Sequence, residues 1–249
     1  VTEKTLLYRF KICSSNWNWE DEGSGGGGGS GGGITAPTPS QIIDELTGKA
    51  KCIYEKLKSS STGFENAIKK FDGDFPVSHL QLQSSSILPN RINAQTYPPN
   101  NYIIKIEINS NNLSRPNLSI ARTIIHEVIH AEMYRKILSI LNNGGNLNGL
   151  TETQWKEKLS KGDYPGIFDY YSRFGEAGMD HELMASHYRT VIGDFLKEFE
   201  PGLSQDIYNA LAWEGLKGTT SWNSLTSNQK SIINNIILNF NNKGSESCN

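Results

Sequence analysis

Apolar and polar positions change their period several times along this chain, and each change marks an element. From Pro39 the apolar residues Ile42, Ile43, Leu46, Ala50, Ile53, Tyr54 and Leu57 recur at intervals of three and four. That spacing predicts one face of a helix, with Gly48 as a break within it. Phe64 to Phe75 adds a short helix. Around His79 to Leu88, and again at Tyr102 to Asn109, the period falls to two. In YIIKIEIN, Tyr102, Ile104, Ile106 and Ile108 fall on one side while Ile103, Lys105 and Glu107 fall on the other, which predicts a half-exposed strand. The run from Pro98 to Asn101 starts it and Asn109 to Asn112 stop it.

The next helix is predicted to begin at Pro116 or Asn117 and to end before the turn formed by Asn142, Asn143, Gly144 and Gly145. Ile120, Ile124, Ile125, Val128 and Ile129 make it apolar nearly all round, the pattern of a buried helix. Residues 151 to 175 read as loop-rich, with an aromatic group of Tyr164, Phe168, Tyr170, Tyr171 and Phe174. Helices return from about Met179 to Glu198, from Ser204 to Leu216 and from Ile232 to Phe240. The expected class is α+β, mostly helical, with a small β-sheet.

Residues 23 to 33 read GSGGGGGSGGG, a flexible linker with no side chains to bury, whether natural or engineered. It divides residues 1 to 22, read as the tail of a preceding domain or a docked strand around Leu7 to Ile12, from a main domain over residues 34 to 249. A first residue of Val, with no signal-peptide pattern after it, reads as a piece of something longer. The formal net charge of -2, from 24 basic and 26 acidic residues, leaves no electrostatic footprint for nucleic acid or an anionic membrane. No apolar run approaches the roughly 20 residues of a membrane helix. Three cysteines, Cys13, Cys52 and Cys248, are too few for a disulfide framework or a thiolate zinc site, although one pair can close.

The chemistry concentrates in TIIHEVIHAEMYRK, residues 123 to 136. Side chains four apart on a helix share a face, so His126 and His130 can direct ring nitrogens at one cation, with Glu127 beside it to hold a water. A bare H-E-x-x-H arises by chance in many proteins, and here the context decides. Two imidazoles and a carboxylate buried in an apolar helix without a partner would cost several kcal/mol, which a metal ion relieves. Two neutral imidazoles and a third ligand leave Zn²⁺ most of its charge and an open position for a water of lowered pKa, whose proton Glu127 can take.

The segment ARTIIHEVIHAEMYRK after the extended YIIKIEIN resembles the zincin metallopeptidase superfamily. There an edge strand just before the active-site helix pairs with an extended substrate, so the resemblance implies that Tyr102 to Asn109 is that strand. The pattern I-x-H-E-x-x-H-A-E-x-x-R, with H-x-x-M-A-x-x-Y and A-L-A-W-x-G-L further on, also resembles SprT-like metallopeptidases at the C-terminal ends of large surface or secreted proteins of the Bacteroidetes. The likeness spans about residues 45 to 217.

The third ligand must come from elsewhere. The residues after His130, AEMYRK, do not continue as a metzincin would. The other rich cluster is GEAGMDHELMASHY, residues 175 to 188, with Glu176, Asp180, His181, Glu182 and His187. His181, Ala185 and Tyr188 share a helical face, whereas His187, six positions on from His181, cannot reach the same metal from a regular helix. The resemblance selects His181, with Glu182 or His187 as alternatives. Tyr188 is read as an oxyanion donor or as core, Asp180 or Glu176 as orienting a ligand imidazole, Trp213 as a core anchor, and His79 as an ordinary strand residue.

The expected function is a zinc-dependent peptidase, secreted or on a bacterial cell surface, acting on an extended polypeptide. Two rivals stand beside it. One is a C-terminal toxin or effector domain using the same zinc site and met by an immunity or inhibitor protein. The other is a non-catalytic binding domain in which the metal is only a staple.

Overall fold

The computed structural model describes residues 42–72, 77–100, 102–142, 154, 181 and 184–248. The predicted N-terminal tail, the linker and the aromatic group of residues 164–174 lie outside these. Among the described residues the chain is α+β: a four-stranded mixed sheet with helices packed on it.

The first element is a strand, β1 (Ile42–Glu45), and not the start of a helix. The three-and-four spacing misled here for a local reason. The Asp44 carboxylate accepts from the Leu46 amide at 3.1 Å, taking a donor a helix would need. Gly48 then stands at φ 54°, which turns the chain sharply into helix α1 (Gly48–Ser60). Ala50, Ile53, Tyr54 and Leu57 form its buried face, as their spacing predicts. Helix α2 (Thr62–Lys69) follows at once because the Ser61 hydroxyl caps it, accepting from the Phe64 amide.

Strands β2 (His79–Ser85), β3 (Ala94–Thr96) and β4 (Ile103–Asn109) complete the sheet in the order β1-β2-β4-β3. Leu80 pairs with Ile42 on one side and Ile104 on the other, both in parallel, while Ala94 to Thr96 run antiparallel to Ile108 to Ile106. Ile104, Ile106 and Ile108 are buried, as the two-residue period predicts. On the opposite face Glu107 is buried too. Its carboxylate accepts from Gln83, Tyr97 and Lys105 at 2.7 to 2.8 Å, so a strand read as half-exposed carries a satisfied polar network on its second face.

Two further expectations for this strand are corrected. Tyr102 lies outside it, half-exposed at φ 63° in the turn that opens β4. The strand is also not an edge. The chain from Ala94 to Asn100 folds back along β4, with Tyr97 N donating to Lys105 O and Asn100 exchanging hydrogen bonds with Ile103, so the outer position belongs to β3.

From β4 a 3₁₀ turn (Ser110–Asn112) leads through Pro116 into helix α3 (Asn117–Asn142), which carries the H-E-x-x-H sequence. Every residue from Asn117 to Ile129 is buried, because the helix lies across β3 and β4 and against α1, α2 and α4. Further along it, the Arg135 guanidinium makes a two-pronged bond to Glu132 at 2.6 and 3.0 Å, with both residues buried.

Of the later helices, the one predicted from Ser204 to Leu216 is shorter and the one predicted from Ile232 to Phe240 is longer. A π-helical segment (Met184–Tyr188) runs into α4 (Arg189–Phe199), followed by α5 (Gln205–Leu211), α6 (Thr220–Asn223) and α7 (Ser227–Lys243). The predicted helix to Leu216 stops at Leu211, and turns carry the chain through Gly215, whose φ of 81° no helix accommodates. Trp213 is the expected core anchor, stacked edge-on against Trp222 with the Arg189 guanidinium 3.9 Å above its ring. The C-terminal tail returns to the start of α3, where Ser245 and Ser247 carbonyls accept from the Asn117 amide and side chain, and Cys248 forms a disulfide with Cys52 of α1.

Candidate metal centre

His126 and His130 lie one turn apart on α3, and their Nε2 atoms are 3.1 Å from each other. His181, helical just before the π segment, brings its Nε2 to 3.3 Å from His126 and 3.2 Å from His130. Three ring nitrogens thus form a nearly equilateral triangle. Neutral imidazoles gain little from so tight a face-off, since each triangle edge holds at most one proton. A cation shared by the three nitrogens would account for it. Tetrahedral zinc with nitrogen ligands at about 2.0 to 2.1 Å separates those ligands by roughly 3.3 Å and leaves a fourth position open. The three residues fit that ion, and His126, His130 and His181 form a group that can bind a metal.

The electrostatics suit a ligand set. Burial, and after it the neighbouring His130, Arg122 and His181, hold the His126 imidazole well below the usual histidine range. It is therefore neutral at pH 7, with its nitrogen lone pair available. His130 and His181 are partly exposed, whereas His126 is buried.

Glu127, buried and next in sequence to the first ligand, is held by a residue that pattern reading missed. The Thr96 hydroxyl at the end of β3 donates to Glu127 Oε2 at 2.7 Å and lies 3.0 Å from the Glu127 carbonyl. Nothing local marks Thr96, whose place depends on β3 packing beside α3. Arg122 was legible in principle, being one turn before His126 on the same face. Its guanidinium donates to the Glu214 carbonyl at 3.1 Å and pairs with the Glu214 carboxylate at 3.6 Å, which fixes the 213–216 turn beside the His126 ring.

Tyr188 closes the π segment, half-buried and packed against the core. The wider π turn adds a residue, so the three-and-four spacing that put Tyr188 on the face of His181 does not carry across residues 184–188. Ala185 is fully buried and its carbonyl accepts from Arg189 Nε at 2.6 Å. Glu176, Asp180 and Glu182, and the side chain of His187, lie outside the described residues. His79 stands at the start of β2, half-buried, with its backbone amide donating to the Tyr102 carbonyl. No protein-family model matches the chain, and neither does any curated protein or solved structure.

Proposed function

We propose that this chain is a zinc-dependent peptidase of the zincin kind, with His126, His130 and His181 as its metal ligands and Glu127 as its general base. The observation that carries this reading is the triangle of three Nε2 atoms at 3.1 to 3.3 Å, with Glu127 following the first of these histidines on the same helix. Zinc held by the three histidines supplies a Lewis acid that polarises a carbonyl and acidifies water. Glu127, oriented by Thr96, takes the proton of the attacking water and returns it to the departing amine.

An extended polypeptide is the proposed substrate. The outer strand β3 ends at Thr96, the residue that touches Glu127, so a peptide pairing along that edge passes the carboxylate. The Cys52–Cys248 disulfide supports an oxidising compartment, and with it export to the cell surface or beyond.

Elemental analysis of the purified protein and hydrolysis of casein and a quenched peptide library test this reading together. The expected result is one zinc per chain, with Glu127→Gln keeping the zinc and losing hydrolysis. Hydrolysis that survives Glu127→Gln overturns the base assignment. Zinc bound without any hydrolysis by the wild type favours the staple reading.

A further inference from the structure

A histidine that ligates a metal through Nε2 is ordinarily oriented by a hydrogen bond from its other ring nitrogen. His126 departs from this: its Nδ1 is buried and has no hydrogen-bond partner among the described residues. Something else must fix the plane of the ring. Against the Nδ1 and Cε1 edge stands Gly215, where an added Cβ would lie 3.1 Å from His126 Cε1, 3.3 Å from Arg122 Nη1 and 3.6 Å from His126 Nδ1. Gly215 is itself held from both sides. The Arg122 guanidinium grips the Glu214 carbonyl, and Leu216 N donates to the Trp213 carbonyl to close the turn.

We infer that Gly215 is a positioning residue for the metal centre: its bare backbone backs the His126 imidazole and sets the ring by contact where no hydrogen bond does. The inference rests on the reading of the three histidines as metal ligands. Two requirements meet at this position. The backbone takes φ 81°, which favours glycine, and an added methyl would press on the His126 ring more tightly than an ordinary contact. Gly218 separates the two requirements, since it has φ 100° but nothing within 4 Å of an added Cβ.

The test compares Gly215→Ala with Gly218→Ala in the full chain. Zinc affinity, measured by competition with a chromogenic chelator, is expected to fall at least tenfold in Gly215→Ala, the range seen when support of a ligand is lost. In Gly218→Ala it should stay within twofold of wild type. A second measurement needs no metal: urea unfolding of the metal-free protein with each substitution placed in the wild-type and the His126→Ala chain. Removing the imidazole should shrink the penalty of Gly215→Ala and leave that of Gly218→Ala unchanged. Should Gly215→Ala not fold alone, its recovery in the His126→Ala chain supports the contact, and failure in both chains overturns it. Equal zinc affinity for the two alanine variants, or an equal Gly215→Ala penalty in both backgrounds, also overturns it. A wild-type protein without zinc affinity removes the metal reading itself, whereas a zinc-binding wild type with an unaffected Gly215→Ala removes only the role of Gly215.

Discussion

The Thr96 hydroxyl donates to Glu127 Oε2 at 2.7 Å, joining the last residue of the outer strand to the carboxylate that follows His126 in sequence. These residues are 31 positions apart in sequence, and only the packing of α3 over β3 and β4 brings them together. Thr96→Val keeps the shape and removes the donor. It is expected to lower kcat by about ten- to a hundredfold, the cost of a catalytic group held off its line, while zinc content and KM hold. Thr96→Ser should restore most of the rate, and steady-state kinetics on a cleaved peptide read both.

Zinc should stabilise the folded chain, since the unfolded one offers no assembled triangle. At a hundredfold excess over Kd the gain is about 2.7 kcal/mol, or a rise of roughly 5 to 10 °C in Tm for a chain of this size. Thermal melts with and without EDTA measure it. His181→Ala should abolish the zinc-dependent part, and an unchanged zinc response in that variant would remove His181 from the ligand set.

Cys52 and Cys248 are 196 residues apart, so their disulfide removes a large loop entropy from the unfolded chain. The chain-entropy account puts this on the order of 5 kcal/mol, equivalent to a Tm drop of about 10 to 20 °C on reduction. The effect should reach helix α3. The tail that Cys248 pins also supplies the carbonyls that accept from Asn117, at the first turn of α3. Melting in dithiothreitol measures the first effect, and faster amide exchange at Asn117 to Ile120 measures the second.

Glu107 should make the fold sensitive to acid. Burial pushes its carboxyl up, but Lys105, Tyr97 and Gln83 more than offset this and hold it below the usual carboxylate range. A carboxyl lowered in the folded state contributes stability that is complete above its unfolded pKa of about 4.3 and is lost as pH falls through the folded value. Urea unfolding from pH 7 to pH 3 should therefore show a decline in the acid range that Glu107→Gln makes shallower. The same contact pushes the Tyr97 hydroxyl up to about 12, first through burial and then through Glu107, so Tyr97 stays a donor throughout this range.

The amino-acid sequence by itself determined what local periodicity determines. Helix α3, its buried character and the shared face of His126 and His130 follow from a turn of 100° per residue. Strands β2 and β4 follow from alternation, and the three histidines that meet were all named from their motifs. Where one residue changed the backbone, the period failed: Asp44 and Gly48 turned a helical spacing into β1, and Gly215 cut α5 short. Tertiary structure alone decided the relations between distant segments. It placed β3 outside β4, buried Glu107 among Gln83, Tyr97 and Lys105, set Thr96 on Glu127, and brought Gly215 up to the edge of the His126 ring. The reason is physical. A residue's own dihedral preferences act over a turn or two of chain, whereas strand order, a buried carboxylate's donors and the wall behind a ligand are set by which surfaces exclude water against each other.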